Sequence, residues 1–485
     1  MHDADMTHTD KVLRGLRQIG SARLLTQVLR WGLTAVTIRL LQPRDYGLIA
    51  TAGIFTIFAQ MLLDGGLAEV LVSQRELPHR LQGAAVTAVL LVSSFLALLM
   101  IAVAPMASLF FHSAQLRSVM DVSSFYLPLN ALGVVPTAQL SKQMRFKPLA
   151  FAQTAGGITQ AVSTVALAYA GEAYWSLIVG AFVGTGFSVA VRWLSVDHKP
   201  VPNLQLSELR PLVQNSSHMI LQRLASFSID NLDIFLVSRI WGTVALGSYS
   251  VARSLAHTVL DRISEITRQI SIPAFAVKTE RSDQLRGLTM VVSVTSTVIF
   301  PVFWTMGAVS QVAFPLIFGT KWTNLVIPFL AFTAILPLRT IYSLLNSSLI
   351  GTGRTGMTLK NTLSWGAILI PIMLIGVFEG PNGAALSWTV AFPIVFYVAT
   401  RRIAKVFSIS ITELLKPLLI PAACAGASAV AAEGILLGLS TRVIPALILT
   451  FQCIGAAACY LLLIRSFSRS QYTQTLALFR RMVRV

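Results

Sequence analysis

Four stretches of otherwise apolar sequence carry charged side chains at helical spacing. Arg253, His257, Asp261 and Glu265 follow one another in steps of four, with Arg268 three further on. Residues three and four apart stand above one another on an α-helix, so this spacing draws one polar stripe. Arg23, Gln27 and Arg30 share a face in the same way. Arg223 and Asp230 are seven apart, with Asn231 and Asp233 beside them, and Arg339, Ser343, Asn346 and Ser347 form a weaker stripe. A guanidinium is a planar fork of donors matched to phosphate and carboxylate oxygens. The chemistry on offer is therefore capture of an anionic group by Arg23, Arg30, Arg223, Arg253 and Arg339. Asp230, Asp233, Asp261 and Glu265 would neutralise these arginines between substrate visits or carry a coupling ion. The plainer alternative is that buried pairs, such as Arg223 with Asp230 or Arg253 with Asp261, tie helices together. His257 alone reads as a satisfied buried histidine, and Asp64 and Glu69 as anchors at a membrane interface.

Catalysis finds little support. There is no Gly-rich phosphate loop, Cys/His cluster or Ser/His/Asp order. Cys424, Cys453 and Cys459 lie in apolar stretches without metal-ligand spacing and read as small buried hydrophobes. We expect no enzyme activity, no metal and no cofactor.

The elements that must hold these charges follow from composition. Of 485 residues, 54% are hydrophobic and only 12% charged, against about 25% charged in soluble domains. Such a chain cannot build a charged shell, and it is too hydrophobic to be disordered. A bilayer span takes about 20 apolar residues. Fourteen apolar runs fit: 21–41, 47–66, 84–110, 122–140, 150–170, 173–193, 213–238, 246–272, 287–312, 324–349, 361–378, 382–400, 417–437 and 443–464. Turn residues punctuate them, as at Gln42-Pro43-Arg44-Asp45 and Glu379-Gly380-Pro381-Asn382-Gly383. The runs do not alternate like outer-membrane strands. The expected fold class is an all-α polytopic membrane protein with about 14 transmembrane helices.

The net charge of +18 is resolved by position. With the N-terminus inside, twenty-five Lys and Arg fall in inner segments and five (Arg44, Arg117, Arg239, Lys321, Arg442) in outer loops. That asymmetry is the positive-inside signal and places both termini in the cytoplasm. No basic stripe interleaved with aromatics stands outside the spans, which disfavours nucleic acid as a partner. No cleavable signal peptide is evident, so the first span is expected to act as an uncleaved signal. Eight bases remain inside spans: Arg23, Arg30, Arg39, Arg223, Arg253, Arg262, Arg268 and Arg339. Each costs at least about 2.5–3.5 kcal/mol at mid-membrane on insertion scales. Arg39 and Arg268 lie near span ends and can snorkel; Arg30, Arg223, Arg253 and Arg339 call for another reason.

Sliding the chain by 200 residues sets Arg23 over Arg223, Leu24 over Leu224, Arg30 over Asp230, Arg39 over Arg239 and Gly47 over Gly247. Two six-span units of like orientation make a parallel repeat, the organisation of a transporter with its site between lobes. The expected organisation is a cytoplasmic tail at 1–20, an N-lobe at 21–200, a C-lobe at 201–405, two further spans within 406–465 and a basic cytoplasmic tail at 466–485.

Particular motifs carry a family resemblance. Ile38-Arg39-Leu40-Leu41-Gln42-Pro43-Arg44-Asp45-Tyr46-Gly47 resembles the junction between the first two helices of bacterial polysaccharide flippases of the Wzx type, in the MOP exporter superfamily. Asp64-Gly65-Gly66-Leu67 with Leu71-Val72, Leu132-Gly133-Val134-Val135-Pro136 with Met144-Arg145-Phe146-Lys147, Tyr174-Trp175-Ser176-Leu177, and Asp230-Asn231-Leu232-Asp233 with Ala245 to Arg253 are similar to further motifs of that family. The resemblance covers roughly residues 20–400. Trp31, Gln42 and the longer N-terminal tail depart from the pattern. The resemblance implies translocation of an undecaprenyl-pyrophosphate-linked oligosaccharide across the inner membrane, by alternating access around a cationic cavity, for exopolysaccharide, capsule or O-antigen synthesis. Protons or sodium as coupling ion and a polysaccharide polymerase as partner are open expectations. The alternatives are a MATE-type multidrug antiporter, which would want an acidic cavity; a flippase for a lipid-linked peptidoglycan precursor; and a membrane polymerase, disfavoured by the short outer loops.

Overall fold

The computed structural model describes residues 27–63, 79–203, 217–276, 281–351, 354–439 and 443–484, and among these there is helix and no strand. Arg23, Asp64 and Glu69 lie outside the described residues, as do the side chains of Arg223, Asp261, Arg262, Glu265 and Arg268. The chain divides into two compact units: one runs through Phe227 and takes in Gly242–Gly247, the other comprises Ser228–Trp241 and the chain from Ser248 onward.

In the first unit α1 covers residues 27–40. It is followed by α2 (Pro43–Leu63), α3 (His79–Phe110), α4 (Ala114–Ser124), α5 (Tyr126–Ala131), α6 (Val134–Lys142), α7 (Phe146–Tyr169), α8 (Ala173–Ser195) and the start of α9 (Ser217–Asp230). The fourth expected span is not one rod over 122–140. It begins earlier and is broken into α4, α5 and α6, where Pro128 and Pro136 each remove a backbone donor. Its pieces are held by side chains: the indole of Trp193 donates to the Leu132 carbonyl at 2.9 Å, and Gln139 donates to Gln82. The core here joins Ala84, Ala85 and Val89 of α3 to Leu127, Ala131, Val135 and Ala138.

The second unit continues through the stretch α10 (Leu232–Ala276), α11 (Arg281–Phe318), α12 (Val326–Gly351), α13 (Thr355–Gly376), α14 (Gly380–Phe407), α15 (Ile411–Leu439), α16 (Pro445–Phe467) and α17 (Arg469–Arg484). α10 is two helices joined at Gly242, whose φ of 77° and ψ of −178° no L side chain adopts comfortably. The chain therefore turns between the seventh and eighth expected spans without a loop. α11 packs on α15, α12 on α14, and α15 on α16. The basic tail expected beyond residue 466 is helical, as α17, and Gln471 ties it to the Pro417 carbonyl at 3.1 Å.

The exposed side chains are those of a protein in lipid. Phe95, Leu98, Met106 and Leu109 of α3 and Leu461, Leu462 and Phe467 of α16 stand on the surface, where a soluble protein would not tolerate so continuous an apolar face. Cys453 is exposed among them while Cys424 is buried, so burial holds for only one of that pair of cysteines. Ten stretches among the described residues are long and apolar enough to cross a membrane. The chain is a multi-pass membrane protein.

The repeat has a physical counterpart inside the first unit. A Cβ placed on Gly47 would strike the Thr243 carbonyl, and one placed on Gly247 would strike the Pro43 carbonyl. Both residues and both targets are 200 apart, so each glycine meets the repeat-equivalent backbone of the other. Gly47→Val and Gly247→Val are expected to lower the melting temperature of the detergent-solubilised protein, since overpacking such a contact costs about 1–3 kcal/mol or more. Gly53→Ala, on α2 with open space around it, serves as the control and should change stability by less than about 1 kcal/mol. Equal behaviour of all three variants would refute the close contact.

Candidate functional site

α9 ends at Asp230, Asn231 is a turn, and α10 begins at Leu232. This break places two carboxylates at a helix junction. Asp233 stands in the first turn of α10, where backbone N–H groups and the helix dipole favour an anion. Its Oδ1 accepts the Ile234 N–H at 2.8 Å and Arg253 Nη1 at 3.3 Å; its Oδ2 accepts the Tyr249 hydroxyl at 2.6 Å and the Trp388 indole N–H at 3.1 Å. Tyr249 and Arg253 reach it because α10 reverses at Gly242. The Asp233 side chain is 0% exposed and that of Arg253 12%. Arg253 also donates through Nη2 to the Asp230 carbonyl at 2.5 Å.

A second ion pair lies beside the first. Arg339, midway along α12, bonds through Nη2 to Asp230 Oδ1; their side chains are 15% and 30% exposed. The guanidinium lies over the rings of Trp365 on α13 and Trp388 on α14, at 5.1 and 5.3 Å from the centroids. The two indoles meet edge to face at 5.9 Å, and Tyr342 and Phe392 extend the aromatic shelf. Trp388 thus belongs to both pairs: its N–H holds Asp233 and its face supports Arg339. At the edge of the shelf Asn361 donates to Asn346 at 3.0 Å and Arg402 donates to Ser364 Oγ at 2.6 Å, which fixes α12, α13 and α14 to one another.

His257, one turn beyond Arg253, packs its ring against Phe332 at 6.3 Å. Its Nε2 is buried and has no hydrogen-bond partner among the described residues. Arg30 belongs to the first unit, where its guanidinium covers Gly157 of α7: a Cβ there would approach Cζ to 3.0 Å.

The structure therefore brings together four of the nine charged residues singled out in sequence: Asp230, Asp233, Arg253 and Arg339. Asp230 meets Arg339 and Arg253 meets Asp233, two pairs that the sequence reading did not name. The partners named there, Arg223 and Asp261, have side chains outside the described residues. Sequence reasoning passed over Tyr249, Trp365 and Trp388. The usable signal was Trp388 lying within a span rather than at the interface belt, because a buried indole N–H needs an acceptor. No group of three potential metal ligands occurs among the described residues.

A membrane bundle with charges paired at mid-helix has the architecture of a transporter. Residues 36–327 match the family described as "Polysaccharide biosynthesis protein", and the chain belongs to that family. It is 22% identical over 414 residues to "Lipopolysaccharide biosynthesis protein WzxC" of Escherichia coli (strain K12), covering 81% of this chain and 80% of that one. It is 24% identical over 323 residues to "Succinoglycan biosynthesis transport protein ExoT" of Rhizobium meliloti (strain 1021), covering 65% of each. In fold it is similar to the lipid II flippase MurJ in an inward closed conformation, with a TM-score of 0.75, 14% identity, and coverage of 93% of this chain and 98% of that one. These findings place the chain among membrane transporters of polysaccharide biosynthesis rather than among enzymes.

Removing one partner of a buried pair leaves the other charge stranded, at about 3–5 kcal/mol. Asp233→Ala is expected to lose that much stability, read as a fall in melting temperature and in the yield of folded protein. The double change Asp233→Leu with Arg253→Met should recover a large part of it. A single variant as stable as the parent would rule out Asp233 as an anchor.

Proposed function

We propose that the chain flips an undecaprenyl-pyrophosphate-linked oligosaccharide across the bacterial inner membrane by alternating access, supplying exopolysaccharide, capsule or O-antigen synthesis. One observation carries the reading: Arg339 is held at the centre of an apolar helix by an aromatic shelf, in a chain of the polysaccharide biosynthesis family. Its charge is offset at rest by Asp230, and a guanidinium so placed can meet an anion carried past it. The names of WzxC and ExoT and the fold shared with a lipid II flippase support a lipid-linked glycan as the class of substrate. A MATE-type exporter of organic cations fits less well, because the two carboxylates at the junction are already engaged, Asp233 by four donors and Asp230 by Arg339.

Arg23, Arg30, Arg223, Arg253 and Arg339 are the proposed anion-facing set. Among the carboxylates Asp230 is the best candidate for a coupling proton or sodium ion, since it is the more accessible of the paired two; Asp261 and Glu265 remain candidates from their spacing. We read 21–200 and 201–405 as two lobes of a parallel repeat, with both termini cytoplasmic from the distribution of Lys and Arg. A polysaccharide polymerase is the expected downstream partner.

Reconstitution into liposomes decides between the readings. Translocation of a lipid-linked oligosaccharide, with no uptake of a cationic dye, is the expected result; the reverse would establish the drug exporter. Arg30→Ala, Arg223→Ala and Arg339→Ala should each abolish polysaccharide export in cells while the protein stays in the membrane, and normal export in all three would remove the cationic assignment. Asp230→Asn should abolish the dependence of transport on a proton or sodium gradient if Asp230 carries the ion; an intact dependence would exclude it.

A further inference from the structure

The two ion pairs are built differently. Asp233 is fully buried and all four of its donors are supplied by the protein. Two oxygens accepting four hydrogen bonds have little capacity left for a ligand. Asp230 is 30% exposed, and among the described residues its carboxylate takes one side-chain donor, Arg339. Arg339 in turn has five N–H donors, and among the described residues only Nη2 finds an acceptor. Its Cζ lies 5.1 and 5.3 Å from the ring centroids of Trp365 and Trp388. A cation–π contact holds a guanidinium in place without consuming its N–H donors. An arginine at mid-helix with donors to spare can take a ligand that supplies several acceptor oxygens.

We infer that Asp230 is a placeholder that occupies Arg339 until the phosphate head of the substrate displaces it. The inference rests on the reading of the chain as a carrier of a pyrophosphate-linked glycan and adds how the head is admitted. A carboxylate with one bond to the guanidinium is a weak competitor. A pyrophosphate carries more charge and engages two N–H groups at once. Monovalent anions gain too little to displace the carboxylate, so the exchange selects a polyanionic phosphate. At rest the pair is neutral, which removes most of the cost of leaving Arg339 empty. Asp233 does not exchange; it holds Trp388, and through it the shelf on which the exchange occurs.

The test uses the full chain in lipid nanodiscs, with inorganic pyrophosphate as probe and calorimetric titration as readout. Removing the competitor should tighten binding: Asp230→Asn and Asp230→Ser are each expected to bind pyrophosphate at least fivefold more tightly than the parent, with no such gain for chloride. Arg339→Ala should lose binding, and Arg339→Lys, which keeps the charge but loses the planar stack, should lose most of it. Equal or weaker binding by both Asp230 variants overturns the placeholder. Failure of both to fold overturns it too, because a placeholder is dispensable to the fold. If the parent translocates lipid-linked oligosaccharide but the Asp230 variants show no gain, the transport reading stands and the placeholder alone falls; if there is no translocation at all, the transport reading falls first.

Discussion

A carboxylate inside a bundle of apolar helices must find its partners in the protein, because the hydrocarbon around it offers none. Asp233 meets that constraint with a backbone N–H, a phenol, an indole and a guanidinium drawn from α10 and α14. Each donor sets a condition on the fold. The backbone N–H requires α10 to start at Leu232. Tyr249 and Arg253 require the chain to reverse at Gly242. Trp388 requires α14 to lie within reach of the α9–α10 junction. Loss of the carboxylate would take the acceptor from two buried polar ring groups and leave Arg253 with only the Asp230 carbonyl.

The second pair depends on the first through Trp388. That side chain cannot rotate freely while its N–H is bound to Asp233, so its face stays under Arg339. Trp365 closes the shelf from α13, and the Asn346–Asn361 and Arg402–Ser364 bonds keep α12, α13 and α14 in register. A fully enclosed charge thus supports one that is partly exposed. The proposed exchange requires this division of labour, because a binding group must be preorganised yet able to change partners.

How much of this was legible in the sequence differs by level. The membrane class and the helical spans follow from composition and period, which act locally. Among the residues aligned at a spacing of 200, Gly47 and Gly247 lie where backbones approach so closely that each position admits only hydrogen. The fourth span misled because apolar content alone does not reveal that Pro128 and Pro136 break a helix into pieces.

The site divides in the same way. Spacing alone placed Asp230, Asp233, Arg253 and Arg339 on spans, since a charge in hydrocarbon stands out against its neighbours and must have a reason to be there. Which charge met which was not determined locally. Asp230 and Arg339 are 109 positions apart, and Asp233 and Trp388 are 155 apart. Only helix packing decides those meetings, because one carboxylate can accept from any donor the fold delivers. The aromatic shelf was hidden for the same reason: a tryptophan in an apolar span reads as one more hydrophobe until the tertiary structure shows what its N–H and its face are touching.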